Sequence, residues 1–366
     1  MIRILHVIGS LDMGGSQMFV LNVYNNIDRS KIQFDFVVWE GKTYLLEDKI
    51  HALGGKIYYC PKYKGYNHFS YVKWWITFFQ EHPEYRIVHG HVRSTAAIYL
   101  KIAKNCGRKT ISHSHSTRNT RGLSSFVKAI LQFPIRFIAD YFFACSLAAG
   151  EWLFGKRITK QSNFFVVPNA IDTAKFAYNP SIRQELRRQL NLENNFVVGH
   201  VGRLDIPKNH TFLLKIFAHV YRKNPQARLI LLGDGPLKHK LIAQAQELHI
   251  DSAVIFCGNQ DASAYYQAMD VFVFPSLYEG LGIAIIEAQT AGLPCIVSKH
   301  LPPEIDLQCG LIARMDLKEN PQCWAKEILA QIDKSRISRQ ETAIAKGFDI
   351  TTTTRWLTGF YTQESV

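Results

Sequence analysis

The amino-acid sequence predicts an α/β protein built from two Rossmann-like domains. Apolar, β-rich runs alternate with helical patterns along the whole chain, which indicates βαβ units and parallel sheets. The alternation starts again after a turn-forming segment at residues 164–172, and each half has the length of one domain. Because ligands bind at the carboxyl ends of parallel strands, two such domains facing one another would enclose a substrate cleft.

Each half supplies its own series of elements. In the first half, strands are predicted at residues 3–8, 34–39, 56–59, 87–91, 110–113 and 141–145, with helices at 16–27, 69–82 and 94–105. In the second half, strands are predicted at 196–201, 228–232, 254–257, 271–274 and 294–297, with helices at 209–223, 236–248, 261–269 and 283–291. These series predict domains at residues 1–166 and 167–349. A last helix at about 350–366 carries aromatic residues that need a surface to pack against.

The composition is that of an ordinary globular protein. Of the 366 residues, 47% are hydrophobic and 20% are charged, which excludes a disordered or fibrous chain. The uncharged apolar run at residues 141–150 is too short to span a bilayer, and the first residues are typical of a strand and its turn rather than of a signal peptide. The seven cysteines show no Cys-x-x-Cys pair, so we expect free thiols, no structural zinc and a cytoplasmic location.

The positive charge is concentrated in the first half of the chain. Residues 1–166 hold 22 Lys and Arg against 10 Asp and Glu, whereas residues 167–366 hold 21 against 20. This asymmetry favours a polyanion or an anionic membrane as a partner of the N-terminal domain, although a lysine-rich solvated surface is the alternative. The segment 118–136 combines basic residues with apolar residues at helical spacing, as in a helix that lies on a membrane surface. A helix packed in the core with a basic outer face would show the same pattern.

Two segments of the second half combine residues that suit a phosphate group and sugar hydroxyls. In residues 197–210 a strand ends at Gly202 and Arg203, and Lys208 follows, so two cations and a helix start could clamp a diphosphate. In residues 275–298 a strand leads into a glycine loop with Glu279, and a helix follows with Glu287. Carboxylates suit sugar hydroxyls, and the backbone N–H groups at the helix start suit a phosphate. A single such glutamate could equally be a helix-dipole partner.

Two features of the first half are less specific. Gly14 and Gly15 follow the first strand and precede a helix, so they could admit a ligand close to the backbone or simply form a tight turn. His89, His91, His113 and His115 lie at the ends of two strands. A metal site is possible, but no carboxylate accompanies the histidines, so we expect polar contacts with a hydroxylated substrate and no bound metal.

At these residues the chain resembles the GT-B fold glycosyltransferases of retaining family 4, most closely the capsular and exopolysaccharide biosynthesis branch. The resemblance covers essentially the whole chain. The most specific motif is the pair of glutamates eight positions apart within PSLYEGLGIAIIEAQTAGLP, and the supporting motifs are GGSQ, VHGH, SHSHS, VPNAID, GRLDIPKNH and LLGDGP. It implies two Rossmann-like domains facing an interdomain cleft, with the acceptor bound by the N-terminal domain and a nucleotide sugar, usually a UDP-sugar, bound by the C-terminal domain. The last helix would cross back to the N-terminal domain.

The resemblance also implies a role for individual residues. Arg203 and Lys208 would neutralise the diphosphate, together with the backbone amides of the loop and helix start at Gly282 and Ile283. Glu279 would hold the donor sugar and Glu287 the ribose hydroxyls. Gly15 would lie close to the phosphates or the acceptor, and either His115 or His113 would contact the transferred sugar.

These roles imply a metal-independent, retaining transfer, and the sequence has no Asp-x-Asp motif. Acceptors in this branch are often sugars on undecaprenyl diphosphate, so the basic N-terminal domain would dock peripherally at the inner face of the cell membrane. A GT-B transferase for a soluble or another lipid acceptor is the alternative. A basic nucleic-acid-binding protein fits the net charge but not the glutamate pair, and no nucleic acid is expected as a partner.

Overall fold

The chain folds into two compact units, as described by a computed structural model. The structure describes residues 1–365 except 13, 42, 116–129, 333 and 334. One unit comprises Met1–Ile171 and Asp349–Val366, and the other comprises Asp172–Phe348. Each unit contains one parallel sheet with helices on its faces.

The N-terminal unit has a seven-stranded sheet in the order β3-β2-β1-β4-β5-β6-β7. Its strands are β1 Ile2–Gly9, β2 Ile32–Trp39, β3 Ile57–Cys60, β4 Tyr85–Gly90, β5 Lys109–Ser114, β6 Tyr141–Ala144 and β7 Phe164–Val166. Its helices are α1 Gly15–Asn26, α2 Glu47–Ala52, α3 His68–Glu81, α4 Ala96–Asn105, α5 Ile135–Ile138 and α6 Leu147–Phe154. The strands β1 and β2 are buried on both faces for most of their length, which is why they read as continuous apolar runs in the sequence.

The last helix, α15 Ile350–Glu364, packs on the N-terminal unit. Leu357 and Tyr361 are buried in the same core cluster as α1, and the Trp356 and Phe360 rings lie 5.5 and 5.1 Å from the ring of Phe143 on β6. The opposite face of the sheet packs against α3, α4, α5 and α6. The aromatic residues of α15 thus find their apolar surface on the N-terminal sheet.

The C-terminal unit has a six-stranded sheet in the order β10-β9-β8-β11-β12-β13. Its strands are β8 Phe196–Val201, β9 Ala227–Leu232, β10 Val254–Gly258, β11 Val271–Phe274, β12 Cys295–Ser298 and β13 Ile312–Met315. Its helices are α7 Thr173–Phe176, α8 Pro180–Gln189, α9 His210–Lys223, α10 Lys238–Glu247, α11 Ala262–Ala268, α12 Ile283–Thr290, α13 Pro321–Leu329 and α14 Gln340–Ala345. This order confirms the predicted Rossmann-like sheet, in which strand order reverses next to β8.

Part of the predicted membrane segment at 118–136 lies outside the described residues. The described part contains α5, which begins after Pro134. Ile130 and Phe133, which precede this helix, are 57% and 53% exposed, and Phe137 within it is 75% exposed. Within the described residues, no helix combines the length and apolar character needed to cross a membrane.

Candidate functional site

In the C-terminal unit, two loops meet at the carboxyl ends of β8 and β11. The loop after β8 forms a 3₁₀ turn at Ile206–Lys208, and Asn209 then takes the left-handed conformation (φ 58°). The Asn209 side chain donates to the carbonyl of Pro275 (3.1 Å), and the N–H of Leu277 donates to the carbonyl of Pro207 (2.8 Å). These bonds fix the loop that carries Lys208 against the loop that carries Glu279.

Lys208 and Glu279 form an ion pair at the junction of these loops. The Nζ of Lys208 lies 2.7 Å from Oε1 of Glu279 and 4.8 Å from the centre of the Phe274 ring. The two side chains are only 20% and 12% exposed, so the pair is shielded from water far more than a surface ion pair. The structure therefore brings together two of the residues predicted from separate motifs.

Arg203 lies at the same strand end, but its side chain is 67% exposed. Its nearest acid is Asp205, with Nε 3.9 Å from Oδ2. The adjacent glycine turn has a packing role, since a Cβ on Gly233 would stand 2.2 Å from the carbonyl oxygen of Gly202. The LLGDGP motif thus lets β9 end directly beside the loop that carries Arg203.

Helix α12 points its N-terminus at the Glu279 loop. Gly282 precedes it in the left-handed conformation (φ 77°, ψ 55°), which a residue with a side chain adopts only with strain. The first N–H groups of the helix, at Ile283 and Ala284, precede the first residues that have intrahelical acceptors. This end of α12 can accept an anion.

Glu287 lies one turn into α12, on the same helix. Its Oε2 accepts a hydrogen bond from the hydroxyl of Tyr266 (2.8 Å), and burial raises the pKa of the carboxyl group to about 7 against the stabilising effect of that bond. The pair Lys175–Asp261 (2.6 Å) contributes smaller, opposing electrostatic effects. The carboxyl group of Glu287 therefore changes its protonation state near neutral pH.

In the N-terminal unit, five histidines form one layer on the face of the sheet covered by α1 and α15. His6 of β1 pairs in register with His89 of β4, and alternate residues of a strand share a face. His91, His113 and His115 continue the layer at the carboxyl ends of β4 and β5, with the His113 and His115 rings 3.9 Å apart. The two strand ends predicted from the sequence do meet.

A chain of hydrogen bonds links three of these rings. Nδ1 of His115 lies 3.3 Å from Oδ1 of Asn169, Nδ1 of His91 lies 2.8 Å from Nε2 of His115, and Nδ1 of His6 lies 3.0 Å from Nε2 of His91. Since the oxygen of Asn169 only accepts, each neutral ring in turn must carry its proton on Nδ1. Both nitrogens of His115 are therefore engaged, and the chain ends at Nε2 of His6, which has no partner among the described residues.

A second chain runs from α15 into the same layer. The hydroxyl of Tyr361 lies 2.8 Å from Nδ1 of His89, and Nε2 of His89 lies 3.1 Å from Nδ1 of His113. Nε2 of His113 has no partner among the described residues, although this side chain is only 1% exposed. Burial lowers the pKa of His89 and His113 well below the usual value and that of His115 to about 4, so the layer is uncharged at neutral pH.

The same layer contains the groups best able to hold a metal. The ring nitrogens of His6, His89 and His91 lie within 4.8 Å of one another, as do those of His91, His113 and His115. Neutral imidazoles suit transition metals, but several of these nitrogens already bond to each other.

Gly15 is the first residue of α1. A Cβ at Gly15 would meet no atom within 4 Å, so there is open space beside it. At Gly14 a Cβ would stand 2.6 Å from the Gln17 side chain, which itself bonds to the carbonyl of Ser10. Neither glycine has a positive φ, so the backbone conformation does not require glycine at either position.

Several partners of the site residues were not predicted. Tyr266, Tyr361 and Phe274 come from distant elements, and no spacing in the sequence links them to Glu287, His89 or Lys208. His6 could have been found, because it alternates with the apolar Ile4 and Ile8 on one face of β1.

Known proteins resemble the chain along its whole length. The family model of Glycosyltransferase Family 4 matches residues 13–175, and that of Glycosyl transferases group 1 matches residues 182–306. A Bacillus subtilis (strain 168) protein named "Putative glycosyltransferase EpsF" is 32% identical over 95% of this chain and 93% of its own. The UDP-Gal:alpha-D-GlcNAc-diphosphoundecaprenol alpha-1,3-galactosyltransferase of Escherichia coli is 38% identical over 36% of each chain.

Solved structures have the same fold. Anabaena Alr3699/HepE in complex with UDP covers 99% of this chain and matches over 100% of its own length, with a TM-score of 0.79 and 20% identity. The lipopolysaccharide outer core galactosyltransferase WaaB covers 99% of this chain and matches over 100% of its own, with a TM-score of 0.69 and 18% identity.

Two parallel Rossmann-like sheets with these matches define the GT-B class of glycosyltransferase. The enzyme transfers a glycosyl group, as the sequence predicted. The chain belongs to the glycosyltransferases that carry a family 4 domain and a group 1 domain.

Proposed function

We propose that this enzyme transfers a sugar from a UDP-sugar, with retention and without a metal, to a growing cell-surface polysaccharide or a lipid-linked oligosaccharide. The observation that carries the proposal is the Lys208–Glu279 pair beside the N-terminus of α12, with Glu287 one turn further along. A cation, a carboxylate and free helix amides at one strand end match the three chemical parts of a nucleotide sugar.

In the donor site, the diphosphate would bind to Lys208, to Arg203 and to the amides at Gly282 and Ile283. Glu279 would accept hydrogen bonds from hydroxyls of the donor sugar. Glu287 would accept from the two ribose hydroxyls, which can replace the hydroxyl of Tyr266 as donors. HepE, which has the same fold, was solved with UDP and with UDP-glucose, which supports a uridine nucleotide as the ligand.

The proposed transfer reaction depends on stabilising the negative charge of the leaving UDP. The bond between the anomeric carbon and the β-phosphate oxygen breaks, and an acceptor hydroxyl oxygen bonds to the same face of that carbon. The acceptor proton passes to the departing phosphate oxygen. Lys208, Arg203 and the α12 amides stabilise the negative charge that develops on UDP, which is the work a metal performs in other enzymes. The sequence contains no Asp-x-Asp motif.

The ion pair gives Lys208 a second role. A diphosphate would attract Lys208 away from Glu279, or share it, so Glu279 becomes available to sugar hydroxyls as the phosphates bind. The donor would thereby prepare its own sugar subsite.

The N-terminal unit would supply the acceptor side. Gly15 has open space for an approaching ligand. Of the two histidine candidates, His115 has both ring nitrogens engaged, whereas His113 retains Nε2 but is buried. A contact through the His115 side chain would need one of its bonds to exchange.

The acceptor class rests on the relatives and on charge. The Escherichia coli relative is named for a diphosphoundecaprenol acceptor. The excess of positive charge in residues 1–166, and the exposed Phe133 and Phe137 beside Arg136, support peripheral docking on an anionic membrane from the cytoplasmic side.

The test combines ligand binding with transfer. In EDTA, UDP and one UDP-sugar should raise the melting temperature, because a ligand at 100 times its dissociation constant adds about 2.7 kcal/mol. Lys208→Ala should weaken UDP binding at least about tenfold, since a charge-assisted contact is lost. Glu279→Ala should retain UDP binding but lose most transfer.

The matched control is Lys215→Ala, which removes an exposed lysine from α9. It should behave as wild type. Wild-type turnover in Lys208→Ala or Glu279→Ala, with both variants folded, would contradict the assignment of the site.

A further inference from the structure

A cavity separate from the proposed donor site lies at the other end of the strands of the C-terminal sheet. It encloses about 500 Å³ at the amino ends of the strands, where Phe196 begins β8, Asp270 precedes β11 and Pro294 precedes β12. The donor site lies at the carboxyl ends of the same strands. With about 3.3 Å per residue, the six residues of β8 separate the two edges by roughly 20 Å.

Three arginines meet at this cavity, and two of them share one carboxylate. Arg183 and Arg187 project from α8, and Arg336 comes from the segment before α14. Nη2 of Arg183 lies 2.5 Å from Oδ1 of Asp270, and Nη1 of Arg187 lies 3.2 Å from Oδ2. Among the described residues that line the cavity, Asp270 is the only acid, so positive charge is in excess.

Part of this charge serves the fold. The arginines donate to the carbonyls at the C-terminus of α11, for example Arg187 to Ala268 (2.8 Å) and Arg336 to Tyr266 (2.8 Å). These carbonyls have no helical partners, and the helix end carries about half a negative charge. Arg336 also donates from Nε to the carbonyl of Ala291 at the end of α12 (2.6 Å), which adds about half a negative charge. Asp270 and the two helix ends together leave the three guanidinium groups in excess by about one charge.

Burial makes the imbalance costly. Arg336 stacks on the ring of Tyr178 at 4.4 Å, and burial lowers its pKa from the usual value to about 9. Buried charges are normally paired, and an unpaired one raises the free energy of the fold. In the described part of the chain, the Nε–H groups of Arg183 and Arg187 make no hydrogen bond, and they are open to solvent rather than buried.

We propose that this cavity binds the phosphate group of a small hydroxylated metabolite. Guanidinium groups hold phosphate oxygens in hydrogen bonds, and the Nε–H groups of Arg183 and Arg187 remain available to donate. Five amide side chains, among them Asn194 and Gln226, line the rest of the cavity and can bond to hydroxyls. The volume falls in the range of small-molecule sites.

The ligand would act at a distance from the donor. It would connect α8, the end of α11 and the segment that carries Arg336, three parts of the C-terminal unit that the arginines already join. A bound phosphate would therefore stiffen the unit that holds the nucleotide site without occupying that site.

The test measures stabilisation by inorganic phosphate and by a hexose monophosphate. Both should raise the melting temperature of the wild-type protein, the hexose phosphate at lower concentration because the amides add bonds to its hydroxyls. Asn194→Asp places a negative charge at the cavity rim, and Asn194 is exposed, so the fold should tolerate it. We expect the dissociation constant for either anion to rise at least about tenfold in this variant.

Two controls separate this cavity from the donor site. Arg188→Gln removes the same charge as Arg187→Gln from the solvent side of α8, and only Arg187→Gln should weaken phosphate binding. Lys208→Ala should leave phosphate binding intact. The proposal is overturned if phosphate gives no stabilisation at tens of millimolar, or if stabilisation survives Asn194→Asp.

Discussion

Glu279 and Glu287 stand eight positions apart in the sequence but in different electrostatic environments. Glu279 is paired with Lys208, whereas Glu287 bonds to the neutral hydroxyl of Tyr266 and has its pKa raised to about 7 by burial. In the free protein, protonation of Glu287 therefore becomes substantial below neutral pH. A protonated carboxyl group can accept fewer hydroxyl bonds than a carboxylate.

Affinity for UDP should therefore rise with pH between about 5 and 7 and level off above. Ribose hydroxyls favour the ionised form, so binding releases a proton in this window, and the affinity gains at most tenfold per pH unit. The stability of the free protein changes with pH in the opposite direction. A carboxyl group whose pKa is raised in the folded state contributes most to stability below its unfolded pKa of about 4.5. That contribution is lost as the pH rises to about 7. Calorimetric titration at several pH values measures the affinity.

Glu287→Gln should remove this pH dependence and lower affinity at pH 8 about tenfold. Glu247→Gln, on the exposed side of α10, is the matched control and should keep the wild-type profile. A Glu287→Gln protein with an unchanged pH profile would show that another group titrates.

The spacing and chemistry of the candidate residues could be predicted, whereas their partners could not. Lys208 and Glu279 lie in motifs that end neighbouring strands, so parallel-sheet topology predicts their proximity. The Tyr266–Glu287 bond depends on how α11 packs beside α12, and the Tyr361–His89 bond depends on a helix that returns from the far end of the chain. Tertiary packing of this kind leaves no period in the sequence.

The N-terminus of α12 is the element on which the proposed donor site depends most. Its entry angle is fixed by Gly282, whose φ of 77° lies where a Cβ is disfavoured, and a Cβ there would stand 3.3 Å from Cδ1 of Ile285. The backbone conformation of one residue thus directs the amides that would meet the diphosphate.

Gly282→Ala should cost about 1 kcal/mol of stability and also weaken UDP binding, because the first turn of α12 must shift. Gly310→Ala is the matched control, since Gly310 has a φ of 75° with open space around its Cβ position. It should lose similar stability and keep UDP affinity. Equal UDP affinity in the two variants, by thermal shift and titration, would contradict the role of this helix end.

Elements with strong apolar patterns were predicted best. The strands Phe196–Val201 and Val271–Phe274 and the helix His210–Lys223 agree with prediction to within one residue. The edge strands Phe164–Val166 and Ile312–Met315 were missed, because short strands at a sheet edge are only partly buried. Helix Leu147–Phe154 was also missed, since its first half continues an apolar run without a helical period, and Pro180–Gln189 is too polar to show an apolar face.

At the scale of the whole molecule, net charge is distributed unevenly between the two halves of the chain. The net charge of +13 comes almost entirely from residues 1–166. The same part of the chain exposes Phe133 and Phe137 next to Arg136, whose guanidinium lies 5.0 Å from the Phe133 ring.

The protein should bind vesicles that contain anionic lipid and release as salt is raised, since each Lys or Arg near such a surface contributes about 1 kcal/mol. Phe137→Ser should lower the vesicle-bound fraction severalfold, because an exposed apolar anchor is lost. Ile182→Ser, at a 43% exposed apolar residue of the C-terminal unit, is the control. Sedimentation with no preference for anionic over neutral vesicles would instead favour a soluble acceptor.

The return of α15 to the first sheet affects how the protein is made. The ribosome completes Asp172–Phe348 as one uninterrupted segment, but the N-terminal unit lacks the helix that covers His89 and Phe143 until the last residues of α15 emerge. At about 5–20 residues per second, the intervening segment takes on the order of ten seconds to synthesise. During that time α1 covers only part of this face of the earlier sheet. The unit made first is therefore the one that finishes folding last, and the nascent chain exposes the apolar surface that α15 later covers.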